Sequence, residues 1–203
     1  MDGLDWSTIA QWTGTLSLGV GLSAVAGIRA WLPLLVAGAL GRMGVVHLHE
    51  SFTFVSSWPA LGLFGVATVV ELVGDKFPAV DHTLDAIGTV VRPAAGALLA
   101  ASTMYEIHSP LVACVLGLVV GAPTAMVPHA TKMAARAASS TFSFGLVNPM
   151  LSFAEDGVAA AMLVAAIMMP VLVALAFLAG AIGAFWWIRS RSARKAAPAT
   201  EAT

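Results

Sequence analysis

The sequence predicts an all-α integral membrane protein: about six transmembrane helices, several broken by proline, built as two inverted three-helix repeats. Three observations predict it. Hydrophobic residues make up 59% of the chain and charged residues 10%, whereas a soluble domain is about 25% charged. Apolar stretches recur at the roughly 20-residue length that about 30 Å of hydrocarbon requires. The two halves also match one another at a fixed displacement.

By that length criterion, helix A falls at about 14–40, B at 59–75, C at 79–104, D at 110–138, E at 149–169 and F at 170–189. Residues 1–13 are left as an N-terminal tail and 191–203 as a basic, disordered C-terminal tail. Helix A contains Arg29 and Pro33, C contains Arg92-Pro93, and D contains Pro123 and Pro128. Proline removes a backbone donor and crowds the preceding turn, so these three helices are expected to kink or break at mid-membrane. Freed backbone groups survive in lipid only where protein or a wet cavity covers them, which turns the breaks inward. Trp58-Pro59 opens B and Asn148-Pro149 opens E, the proline in the first turn and the residue before it as the cap. The glycines of Gly117–Gly121 and Gly180–Gly183 permit close helix packing. The opening Met1-Asp2-Gly3-Leu4-Asp5-Trp6 lacks the basic start of a secretory signal, so the first apolar stretch is expected to stay as a span.

Ser51 to Leu61 aligns without gaps on Thr141 to Leu151, a displacement of 90 residues. The same displacement pairs Gly27 with Gly117, Pro33 with Pro123 and Arg42 with Lys132. Two copies, at about 14–104 and 105–190, nearly fill the chain. Three crossings per copy force the second to lie inverted, a recurrent design of secondary transporters with sites near the midplane. The basic residues Arg189, Arg191, Arg194 and Lys195 put the C-terminus in the cytoplasm, and six crossings put the N-terminus there too. Lys76, Lys132 and Arg136 then lie near the cytoplasmic interface, with Arg42 alone outside and Trp186-Trp187 in an interfacial belt.

Composition excludes some classes. A net charge of -1 with scattered bases argues against nucleic acid. Cys114, the only cysteine, excludes an intramolecular disulfide and a cysteine-based zinc site, and reads as a small buried apolar residue.

The chemistry concentrates in Glu71, Asp75, Lys76, Asp81, His82 and Asp85, followed by Arg92. Glu71 and Asp75 are four apart and share a helix face, and Asp81 and Asp85 repeat that spacing. His129, Lys132 and Arg136 form a polar stripe on helix D, and Ser152 shares a face of helix E with Glu155 and Asp156. Arg29 has no acidic neighbour in sequence and must find one in space. Six acids (71, 75, 81, 85, 155 and 156) face five bases (29, 76, 92, 132 and 136), a near-balance that suits a paired internal network. Ionisable groups at the bilayer centre cost on the order of 3 kcal/mol each on insertion scales and are functional candidates. The competing readings are interfacial charges, structural ion pairs and snorkelling side chains.

The run Glu71-x-x-x-Asp75-Lys76-x-Pro78-x-x-Asp81-His82-x-x-Asp85, with Arg92-Pro93 and Asn148-Pro149…Glu155-Asp156 behind it, resembles the bacterial membrane family catalogued as domain of unknown function 4126. Gly27-Ile28-Arg29-Ala30-Trp31-Leu32-Pro33-Leu34 is similar to its first-helix motif. The likeness covers about residues 15–190 and implies a multi-spanning protein of the bacterial inner membrane, with no activity attached. A weaker likeness joins Glu71-Leu72-Val73-Gly74-Asp75-Lys76 to the Glu-x-Gly-Asp-Lys motif of a calcium and manganese transporter family. One extra residue and the lack of a hydroxyl after Lys76 separate the two, so it hints at chemistry and not at kinship.

The leading expectation is a small ion- or proton-coupled transporter, or a cation-conducting protein. Glu71, Asp75, Asp81, Asp85, Glu155 and Asp156 would bind a cation or relay protons, with Arg29 and Arg92 as counter-charges and His82, His129 and Asn148 beside them. Hard divalent cations prefer oxygen ligands, so a divalent ion held by Glu71, Asp75, Asp81, Asp85 and Glu155 is the candidate cofactor. The alternatives are an intramembrane enzyme acting on a lipid or lipid-linked substrate, and a structural or assembly protein. No catalytic motif appears, which leaves an enzyme the less expected. Expected partners are the bilayer and a small ion or solute, with a second copy of the chain open.

Overall fold

The computed structural model describes residues 5–143 and 147–196, with helices and no strand among them. The elements are α1 (Trp6–Ile28), α2 (Trp31–Arg42), a 3-10 turn at Glu50–Ser56, α3 (Trp58–Gly74), α4 (Pro78–Thr103), α5 (Pro110–Leu116), a π-helical turn at Gly117–Gly121, α6 (Ala122–Ser143), α7 (Asn148–Met168) and α8 (Pro170–Ala196). Among the described residues, four stretches are long and apolar enough to cross a membrane: Thr83–Thr103, Pro110–Phe142, Met150–Met168 and Pro170–Trp187. The 3-10 turn and α3, bent by 56° against one another, make a fifth if counted as one span.

Expected helices B, C and E coincide with α3, α4 and α7 to within a residue, and D with α5 to α6; F coincides with the start of α8, which runs on to Ala196, into the tail expected to be disordered. Ser57 caps α3, its hydroxyl accepting from the Ala60 N–H at 3.3 Å, so the cap lies one residue before Trp58. Asn148 does not cap α7 either; Val147 holds the cap position without a side-chain bond. At the N-terminus, Asp5 accepts from the Ser7 amide at 3.3 Å and its hydroxyl at 2.5 Å. That cap starts α1 at Trp6, inside the expected tail. Cys114 lies exposed on the outer face of α5 and is not a core residue.

Helix A differs most. Arg29 leaves α1 in an extended conformation (φ −134°, ψ 107°) and the chain reverses there. Gly19 sits against Thr103 and Ala100, and Ser23 bonds the Gly96 carbonyl at 2.8 Å, so α1 runs antiparallel to α4. Farther along, Gly38 lies on Val55 and Leu61, while Ala30 meets Glu71, so α2 runs antiparallel to α3 and back toward the start of α1. Gln11, Thr15, Val45, His47, Thr103 and Pro170 accordingly line one cavity of about 410 Å³ at that end of the bundle. The expected single crossing is therefore a helical hairpin with Arg29–Ala30 at its tip. The start of α1 and the far end of α8 lie at opposite ends of the bundle.

The other prolines behave differently from expectation. α4 continues through Pro93, and α6 through Pro128, without interruption. The irregularity in helix D is instead the π turn immediately before Pro123, whose ring would press on the Val119 carbonyl in a regular helix.

Small residues set the packing of the centre, where Leu22, Val25, Ala26, Leu99 and Ala159 are buried around α1. Gly96 of α4 faces Gly121, and a β-carbon built on Gly96 would lie 2.6 Å from the Gly121 carbonyl oxygen. Helices in lipid gain little from hydrophobic association, so such close backbone approach and bonds like Ser23 to Gly96 carry the packing.

Candidate functional site

The tip of the hairpin is the start of the site. A break inside a bundle leaves backbone donors without partners. Here Glu71 of α3 supplies them: its carboxylate accepts from the Ala30 amide at 3.2 Å and the Trp31 amide at 3.4 Å. A negative charge at that position also suits the N-terminal end of the α2 dipole. Pro33, in the first turn of α2, has no amide hydrogen to satisfy.

Arg29 finds its partners in space. Its fully buried guanidinium pairs with Asp75 and Asp156 and donates to the Ser152 hydroxyl at 3.2 Å, with Glu155 at 3.9 Å. Lys76 reaches the same place from the α3–α4 connection, 2.5 Å from Asp156 and 2.8 Å from the Ser152 hydroxyl. Ser152 thus joins two cations from different elements.

Lys132 and Arg136, one turn apart on α6, are the hub. The Lys132 ammonium lies 2.9 Å from Asp75, 3.4 Å from Asp85 and 3.2 Å from Glu155. Arg136 grips Glu155 through two bonds of 3.1 and 2.8 Å and reaches Asp85 and Asp75 at 3.3 Å each. Both side chains are buried inside the bundle. Lys76 alone of the three stays partly exposed. The sequence signal was present in the stripe of His129, Lys132 and Arg136; its burial by neighbouring helices was not.

Arg92 extends the network along α4. It lies 3.4 Å from Asp85 and 3.6 Å from Glu71, and contacts His129 Nδ1 at 2.5 Å. A guanidinium can only donate, so Nδ1 accepts, and Nε2–H donates to the Thr89 hydroxyl at 3.2 Å. Thr89 in turn donates to the Asp85 carbonyl at 3.2 Å. The site therefore joins α1, α3, α4, α6 and α7.

Among the described side chains, five carboxylates (Glu71, Asp75, Asp85, Glu155, Asp156) meet five cations (Arg29, Lys76, Arg92, Lys132, Arg136). Every one of those carboxylates faces a cation. Among the described residues no three His, Cys, Asp or Glu side chains gather to hold a metal ion. The guanidinium and ammonium groups occupy the space between the acids. The side chains of Asp81 and His82 lie outside the described residues. Asn148 stands apart, donating to the Ser140 hydroxyl at 3.3 Å and linking α7 to α6. Asn148→Ala should cost about 1 kcal/mol by loss of that interhelical bond, read as a small drop in the melting midpoint in detergent.

Two cavities reach the network from different sides. One of about 490 Å³ between α6, α7 and α8 touches Lys132 and Glu155, and one of about 170 Å³ between α2, α3 and α4 touches Glu71.

Compared with known proteins, residues 16–190 match the family described as Domain of unknown function (DUF4126), and the chain belongs to that family. No curated protein and no solved structure matches it.

Proposed function

We propose that this member of the family is a small multi-spanning transport protein of the bacterial inner membrane, ion- or proton-coupled, whose switching element is the network around Lys132. One observation carries the reading: a single buried ammonium lies within 3.4 Å of three carboxylates contributed by the end of α3, by α4 and by α7. Three acceptors competing for one cation can exchange it, because protonating any one of them leaves the ammonium with two others. Cavities touching Glu71 and Glu155 give the exchange an approach from each side. Buried charges that face one another and a cavity are the usual mark of an intramembrane ion or proton path.

The pseudo-repeat supports the same reading. At the displacement of 90 residues, the Arg29–Ala30 break falls on positions 119 and 120, inside the π turn of Gly117–Gly121. α2, α3 and α4 run opposite to α6, α7 and α8, as an inverted pair requires. α1 and α5 do not, because the chain reverses at the first interruption and continues through the second. In this arrangement the basic end of α8 lies in the cytoplasm and the start of α1 on the far side.

Liposomes holding the purified protein and a pH-sensitive dye provide the test. Proton or cation flux is expected in the wild type and lost in Glu71→Gln and Glu155→Gln; unchanged flux in both variants overturns the proposal. Glu71→Gln retains an oxygen to accept from Ala30 or Trp31, so it should lose flux while the fold survives. Glu71→Ala should lose both.

The balance of five acids and five bases favours a second reading, a structural or assembly protein whose charges lock the helices together. That reading expects charge-neutralising pairs to lower the melting midpoint with no flux to lose in the wild type. No comparable observation favours an enzyme acting on lipid.

A further inference from the structure

We infer that the groove between α6, α7 and α8 admits a lipophilic cation from the bilayer, with Glu155 as its counter-charge; this rests on the transport reading and names its substrate class. The groove is about 490 Å³, within the usual range for a small organic ligand. Its walls are apolar, from Val127, Leu151, Val158 and Phe177, and charge enters only at Lys132 and Glu155.

The two charged groups are not offered equally. The Glu155 side chain is 14% exposed and that of Lys132 is 2%. An incoming molecule therefore meets a carboxylate edge in an otherwise apolar wall, which suits a positive charge carried on apolar groups. A cation without apolar bulk would have no route through these walls, and an anion would face the wrong sign.

Glu155 is also the acid the network can release. Its close partners, Arg136 and Lys132, each hold Asp75 and Asp85 as well. If Glu155 turns to an incoming cation, neither base is left unpaired in the interior. Asp75 has no such freedom, since it is fully buried and holds Arg29, Lys132 and Arg136 together.

The test uses a pair of ions of one shape and opposite charge, tetraphenylphosphonium and tetraphenylborate. Equilibrium binding is measured on the full chain in lipid nanodiscs, with empty nanodiscs subtracted. Saturable binding of the phosphonium and none of the borate is expected. Glu155→Gln should raise the apparent Kd by roughly tenfold or more. Gly180→Phe serves as the second variant, because Gly180 lines the groove and a β-carbon there meets nothing within 4 Å. It fills the groove while leaving every ion pair in place, and should weaken binding to a similar degree.

Equal binding of both ions, binding of the borate alone, no saturable binding of either, or phosphonium binding indifferent to both variants overturns the inference. Glu155-dependent proton flux without phosphonium binding sinks the groove and leaves the transport reading standing. Glu155-dependent binding without any flux does the reverse.

Discussion

Asp75→Asn is expected to destabilise the protein by about 3–5 kcal/mol, the range seen when one partner of a buried ion pair is removed. Arg29, Lys132 and Arg136 converge on one oxygen of this carboxylate, which is fully buried. Neutralising it leaves Arg29 only Asp156 close by and makes Lys132 and Arg136 share Asp85 and Glu155, so the buried cations are one negative charge short where little water can screen them. Asparagine keeps the shape and one acceptor oxygen, so the loss reports charge and not volume. Thermal unfolding in detergent, followed by tryptophan fluorescence, should show a large drop in midpoint. Adding Lys132→Met should restore much of it, because the double variant is again balanced at four acids and four bases. A double variant no more stable than Asp75→Asn alone would mean that the charges do not act as one network.

Gly121→Leu should have a comparable effect for a steric reason. Its β-carbon would fall on the Gly96 carbonyl and beside the Ala100 methyl, so α4 and α6 would have to separate. Overpacking a core typically costs about 1–3 kcal/mol, and a collision with backbone lies at or above the upper figure. Gly157→Ala on α7 is the contrast, since a β-carbon there meets nothing within 4 Å and alanine favours the helix by up to about 1 kcal/mol. Size-exclusion profiles and melting midpoints should move in opposite directions for the two variants. Equal tolerance of both would remove the close α4–α6 contact from the account.

Much of this architecture is written in the residues, and the exceptions have physical causes. Helices B, C, E and F could be located because each apolar run matches one crossing in length. Helix A misled because 27 residues also suit one crossing; nothing local says that the chain reverses at Arg29. Proline was a poor guide to that reversal: Pro93 and Pro128 are carried inside intact helices, while the break precedes Pro33 by three residues. It is Glu71, 41 residues away from Ala30, that makes the break tolerable, and a contact of that range leaves no mark in a local pattern.

The site was legible as a set of charges but not as a pairing. The balance of acids and bases anticipated an internal network, and Arg29 had to find remote acids. The burial of Lys132 and Arg136 was not legible, because position along the 33-residue Pro110–Phe142 stretch does not show which face of it other helices cover. Which acids could share a metal ion was not legible for a related reason. Carboxylate spacing shows which acids share a face, and cannot show which bases another helix will insert between them.

The hairpin tip also constrains the order of biosynthesis. Arg29 lies near the beginning of the chain, yet Asp75 follows it by 46 residues and Ser152 by 123. A ribosome delivers the guanidinium long before its anions exist, and an unpartnered guanidinium is costly in hydrocarbon. The first two helices must then wait in a wetter setting, such as the insertion channel or the interface, until α7 has been translated. Truncated nascent chains ending before Ser152 should leave residue 29 open to an aqueous thiol reagent when Cys is placed there with Cys114 replaced, whereas the full-length chain should seal it.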